Sequence, residues 1–66
     1  MAYDLNDVWH DDGRTGRVVG DGKHCYYRVI DNETGLEEEW HMQSMTWPAL
    51  IPENRMPASP PSGSRL

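Results

Sequence analysis

Three histidines and one cysteine are the side chains of this 66-residue chain best suited to metal binding or nucleophilic chemistry. Their spacing argues against both. A structural zinc site draws two ligands from one knuckle or turn, as C-x2-4-C or H-x3-5-H pairs. Here His24 and Cys25 are adjacent, so on a strand they project to opposite faces, and His10 and His41 stand alone. A cysteine nucleophile needs a base, an orienting group and an oxyanion-hole loop, and nothing in the sequence places these beside Cys25. The expectation is surface imidazoles and a buried thiol, with no metal, no cofactor and no enzymatic centre.

The run Glu37-Glu38-Glu39 is the second candidate. Carboxylates act as a general acid and base only where a cleft raises the pKa of one of them. On a strand, Glu37 and Glu39 share a face, near Asp31 and Glu33. The result is a negative patch. Such a patch either keeps an exposed strand from pairing with other chains or steers a basic protein partner toward it.

The cations fall elsewhere, with Arg14, Arg17, Lys23 and Arg28 concentrated in 14–28 beside Tyr26 and Tyr27. Aromatic rings interleaved with arginines are what a single-stranded nucleic-acid binder uses for stacking and phosphate tracking. A formal net charge of −5 runs against that use. The competing expectation is that Tyr27 serves the core and that Arg28 pairs across strands with Glu37 or Glu39. Of the three tryptophans, Trp9 and Trp40 occupy regular strand positions and are the expected core residues. Trp47 lies near the end of the patterned region, where with Met45 or Met42 it would make an adaptable contact patch.

The elements that must position these residues are legible as β-strands. The chain is short enough to make one domain, and a lone cysteine forms no internal disulfide. It holds no run of ~18 apolar residues, and no charged amino-terminal segment leads into an apolar stretch. A cytoplasmic setting without membrane contact is expected. Every Trp, Tyr, Cys and Val lies in 1–51, and 52–66 is Pro- and Ser-rich, so a domain over 1–51 with a disordered tail is expected. Asp12-Gly13, Asp21-Gly22 and the run from Asp31 to Gly35 read as turns. Between them, strands are predicted over 15–19, 24–31 and 36–43. Cys25, Tyr27 and Val29 share one face of the second, opposite Tyr26, Arg28 and Ile30. Helix is the competitor over 36–46, but Leu36, Trp40 and Met42 fit a period of two. Residues 3–9 and 46–51 should complete the sheet, with Pro48 confined to an edge or turn. A small five-stranded barrel or strongly bent antiparallel sheet follows, because closure removes the exposed edges. An open four-stranded sheet with a helical turn over 4–10 is the alternative.

Val8-Trp9, the glycine-bounded Gly13-Arg14-Thr15-Gly16-Arg17-Val18-Val19, and the hairpin from Tyr26–Val29 to Glu37–Met42 together carry a family likeness. Over roughly 8–50 the chain resembles the SH3-like small β-barrels that include KOW and Tudor domains. That resemblance implies a barrel fold and, for KOW-type members, contact with RNA or the ribosome. The three consecutive glutamates depart from the neutral or basic character expected of nucleic-acid-binding members. Another SH3-like barrel, the type II dihydrofolate reductase, carries a V-Q-I-Y strand where this chain has Trp40-His41-Met42-Gln43, so that activity is not implied.

Taken together, the residues point to a non-enzymatic adaptor or regulator binding a larger protein through Trp47, Met45, Glu37 and Glu39. The alternative is a KOW-like nucleic-acid module using Arg14, Arg17, Arg28, Tyr26 and Tyr27.

Overall fold

The computed structural model describes residues 3–58 and 60. Five strands form: β1 (Asp7–His10), β2 (Thr15–Asp21), β3 (Tyr26–Asp31), β4 (Glu37–His41) and β5 (Met45–Thr46). All neighbours are antiparallel, in the order β4-β3-β2-β1-β5. β4 and β5 are the two edges, and the sheet is not closed into a barrel. Short 3₁₀ turns cover Met42–Ser44, Pro48–Leu50 and Glu53–Arg55. The period-two pattern of 36–43 therefore prevails over helix propensity, although the strand stops at His41 and Met42 begins a turn. The tail expected over 52–66 lies partly outside the described residues; within them, its first part forms the Glu53–Arg55 turn.

The sheet is strongly bent. β3 and β5 are three strand spacings apart, which in a flat sheet would be about 14 Å. Yet Tyr27 of β3 and Trp47, directly after β5, meet edge to face with ring centroids 5.5 Å apart. Trp40 of the β4 edge shares the core with Val8 of β1, Val29 of β3 and Met45 of β5, and Val18, Tyr27 and Trp47 pack against it. A register shift between Val18 and Gly20 puts one extra residue into β2, and Val19 there is exposed. Such a bulge raises local twist and helps to bend the sheet.

Gly16 makes the bend possible at its centre. A Cβ on Gly16 would lie 2.6 Å from Val29 Cγ1, 2.8 Å from the Ile30 carbonyl oxygen and 3.0 Å from Trp40 Cη2. The indole of β4 thus rests directly on the backbone of β2.

Of the segment 3–9 expected to complete the sheet, only its end joins β1, Asp7–His10. Val8 and Trp9 are neighbours on opposite faces, and both are buried. Val8 enters the core, while Trp9 is met on the reverse face by Tyr3, with ring centroids 5.7 Å apart at 89°. Alternation does not extend back to Leu5, which is exposed, because an Asp7 N–H to Asp4 C=O bond of 3.0 Å turns the chain there.

The β2–β3 connection also differs from expectation. β2 runs through Asp21, and the turn spans Lys23–Tyr26, closed by a Tyr26 N–H to Lys23 C=O bond of 2.9 Å. His24, not a glycine, takes the left-handed backbone there, with φ of 52°. Histidine is among the types more often found in that region. Cys25 follows in the same turn and is exposed, not buried as expected, because the turn carries it off the sheet before β3 begins.

Candidate functional site

The inward end of the sheet holds a polar cluster that the sequence did not suggest. Arg14, on the loop before β2, lies on the same side as Gly16 and Val18. Its Nη1 donates to Glu38 Oε1 at 2.8 Å and stands 3.6 Å from Asp31 Oδ2, while its Nε donates to Asp12 Oδ2 at 2.8 Å. The guanidinium also sits 5.0 Å above the Trp40 ring. Trp40 Nε1 donates to the same Glu38 oxygen at 2.9 Å, so one carboxylate ties indole and guanidinium together. His10 packs edge-on against Trp40 with centroids 5.0 Å apart. Burial alone would lower the Arg14 pKa, and the hydrogen bonds and charges of Asp12 and Glu38 more than offset this, so it is raised.

Asp31 is the one buried charged residue among those described, at 2 % exposure. Its Oδ1 accepts from the Glu33 N–H at 2.7 Å and the Thr34 N–H at 3.2 Å, shaping the β3–β4 turn, and its other oxygen faces Arg14. Buried charges persist where they are paired and hydrogen-bonded. The bonds of Arg14 Nε and Nη1, Glu38 Oε1 and the Asp31 carboxylate all go to neighbours in the fold, which gives the cluster an architectural role.

Asp12 provides a pH test of that statement. Burial pushes its carboxyl up, but the Arg14 backbone N–H and guanidinium together with His10 outweigh burial and hold it below its ordinary 3.8. A depressed carboxyl stabilises the fold above the unfolded pKa, and that contribution is lost as pH falls through the folded value. The urea midpoint deficit of Asp12→Asn should therefore be larger near pH ~6 than near pH ~2.5. An equal deficit at both, measured by tryptophan fluorescence, would contradict the pairing.

The outward face of the sheet carries Arg17 and Arg28, each next to a carboxylate. Arg17 Nη2 donates to Asp4 at 3.1 Å and Arg17 Nη1 lies 3.5 Å from Asp7. Arg28 Nη1 donates to Glu37 at 3.3 Å, the cross-strand pairing expected from the sequence. The Asn6 N–H and then Arg17 hold Asp4 below the ordinary carboxylate range. Tyr26 is exposed and meets His41 edge-on across β3 and β4, with centroids 5.0 Å apart.

The nucleic-acid set is therefore split between faces. Arg14 and Tyr27 point inward, whereas Arg17, Arg28 and Tyr26 point outward. The protein-contact set is split as well. Glu37 and Glu39 are exposed and share the outward face of β4. Trp47 is half-buried against Tyr27. Met45 is a correction, being 8 % exposed and part of the core; it pairs with His10 of β1, which turns its side chain inward. Met42, by contrast, is exposed at the end of β4.

The imidazoles serve local structure. His10 Nδ1 accepts from the Asp12 N–H at 3.1 Å, and His41 Nδ1 from the Gln43 N–H at 3.1 Å. Among the described residues no group of three or more His, Cys, Asp or Glu side chains is placed to hold a metal ion. Clefts are shallow. One of about 290 Å³ is lined by Asp21, His24, Cys25, Tyr26 and Met42 among others, and one of about 370 Å³ lies beside Arg14 and Glu33. No described helix is long and apolar enough to cross a membrane. No family model, curated protein or solved structure matches the chain.

Proposed function

We propose that the chain is a non-enzymatic adaptor or regulator of SH3-like type that works in the cytoplasm and binds a larger protein through the acidic outer face of β3 and β4. The charge balance of the exposed surface is the observation that carries this reading. Arg14, Arg17 and Arg28 each face a carboxylate within 3.3 Å. Among the described residues, five exposed carboxylates (Asp11, Asp21, Glu33, Glu39 and Glu53) have no cation within ion-pair distance, against two exposed cations (Lys23 and Arg55) with no carboxylate within it. A partner approaching from solvent meets an excess of negative charge, with the exposed Tyr26 on the same face as Glu37 and Glu39. The curl and the five short antiparallel strands support grouping the fold with small SH3-like sheets.

Tagged protein should retain a basic partner from host lysate at low salt and lose it as salt rises, since exposed charge pairs are screened. Glu39→Lys removes one of the unbalanced carboxylates at an exposed strand position and should reduce capture at least ~10-fold with an unchanged circular dichroism spectrum. Unaltered capture by Glu39→Lys, or salt-sensitive retention on immobilised single-stranded DNA in its place, would overturn the assignment in favour of the KOW-like alternative.

A further inference from the structure

The backbone of β4 defines how a partner can attach. The Asp31 N–H donates to the Leu36 carbonyl at 3.0 Å, and the Met42 N–H donates to the Cys25 carbonyl at 2.8 Å. Residues 36 and 42 thus turn their backbone polar groups toward β3, and antiparallel alternation extends this to 38 and 40. The intervening residues are Glu37, Glu39 and His41, paired in register with Ile30, Arg28 and Tyr26. Their N–H and C=O groups point away from β3, to the open edge. Among the described residues no group from another element bonds to the backbone of Glu37 or Glu39, whereas the His41 carbonyl, as N-cap, is engaged by the Met42–Ser44 turn. The opposite edge, β5, is two residues long and offers no comparable ladder.

On the premise that the acidic face is the docking face, we propose that β4 accepts an extended basic segment of another protein as an added antiparallel sixth strand. Backbone bonds to Glu37, Glu39 and the His41 N–H would supply the attachment, and side chains on alternate positions the selectivity. Residues of the added strand on the outward face would lie directly beside Glu37 and Glu39, where opposite charge is favoured and like charge is not. A second copy of this chain is a poor occupant for that reason, since pairing two β4 edges places glutamates beside glutamates. Residues on the other face would lie near Leu36 and Met42, which are 64 % and 44 % exposed at the two ends of the strand. The matching segment therefore alternates lysine or arginine with apolar residues over about five positions, the length of β4.

The probe is the peptide acetyl-KVKVKVK-amide, titrated into the full chain. In an antiparallel addition the lysines face Glu37 and Glu39 and direct their own backbone N–H groups to β4. Methylating the lysine backbone nitrogens should weaken binding about tenfold or more, while methylating the valine nitrogens should weaken it far less, at identical charge. Amide exchange at Glu37, Glu39 and His41 should slow when the unmodified peptide binds. Equal affinity of the two methylated peptides, or the reverse order, would overturn strand addition while leaving an acidic docking face. Absence of binding by the unmodified peptide at low ionic strength would overturn both.

Discussion

Trp40→Ala is expected to leave no cooperative unfolding transition at room temperature. Truncating a fully buried tryptophan costs about 3–5 kcal/mol through lost burial and the cavity left behind. A folded unit of this size is stable by only roughly 3–8 kcal/mol, at about 0.05–0.15 kcal/mol per residue. Trp40 also has more dependants than its area suggests. It covers Gly16, underlies the Arg14 guanidinium, meets His10 edge-on and donates to Glu38. Removing it therefore unseats contacts to three other segments of the chain. Trp40→Phe separates these roles, because it keeps an aromatic ring but loses the indole N–H. That variant should fold and lose about 1–2 kcal/mol, the range of one buried hydrogen bond plus imperfect fit. Urea titration followed by far-ultraviolet circular dichroism reads both outcomes. A wild-type midpoint for Trp40→Ala would mean that the indole does not hold the bent sheet together.

Gly16→Ala is the second large effect, and a counterintuitive one, since the residue lies in a strand where glycine is ordinarily unfavourable. The added methyl would come within 2.6 Å of a branched valine side chain and 2.8 Å of a backbone carbonyl oxygen. Neither partner is the free end of a flexible chain, so relief requires β2 and β3 to shift or the Trp40 indole to lift. Overpacking of this kind costs about 2–3 kcal/mol. Gly35→Ala is the natural comparison. Gly35 has a φ of 75° and open space around its Cβ position, so its substitution carries backbone strain alone, about 1–2 kcal/mol. Gly16→Ala should therefore lower the thermal midpoint more than Gly35→Ala does. The reverse order would show that β2 and β3 can separate cheaply, and that the indole does not rest on a rigid backbone.

Both substitutions strike a feature only partly visible in the chain's pattern. Tyr27 and Val29 inward, Arg28 and Tyr26 outward, and Trp40 buried on β4 all follow from a period of two. The partnership of Arg28 with Glu37 follows from the same alternation, given adjacent strands. The close seating of Trp40 on Gly16 does not, because 24 positions separate them and only the bend brings β4 over β2. Arg14 is the sharper case. Among neighbours in sequence it looks like one of four cations near two tyrosines, and its partner Glu38 looks like the middle of a solvated glutamate run. Inward parity for both, with Arg14 just before β2 and Glu38 on β4, makes them a pair on the inner side, over the Trp40 indole, instead.

What the sequence by itself determined is the β class, the turn-bounded strands, the lone thiol with no disulfide partner, and the acidic balance of the chain. These are local or additive properties: side-chain alternation, turn-forming residues and a sum of charges. Only the tertiary structure decided that β1 is covered on both faces, that Met45 is core, that Cys25 is exposed, and that the sheet bends without closing. It also decided which charges remain available to a partner, since an arginine's availability depends on the carboxylates that the fold places beside it. Three arginines are spent in this way while Glu39 is not. Charge counts are read along the chain, but the field a partner meets is set by distances between residues far apart in it.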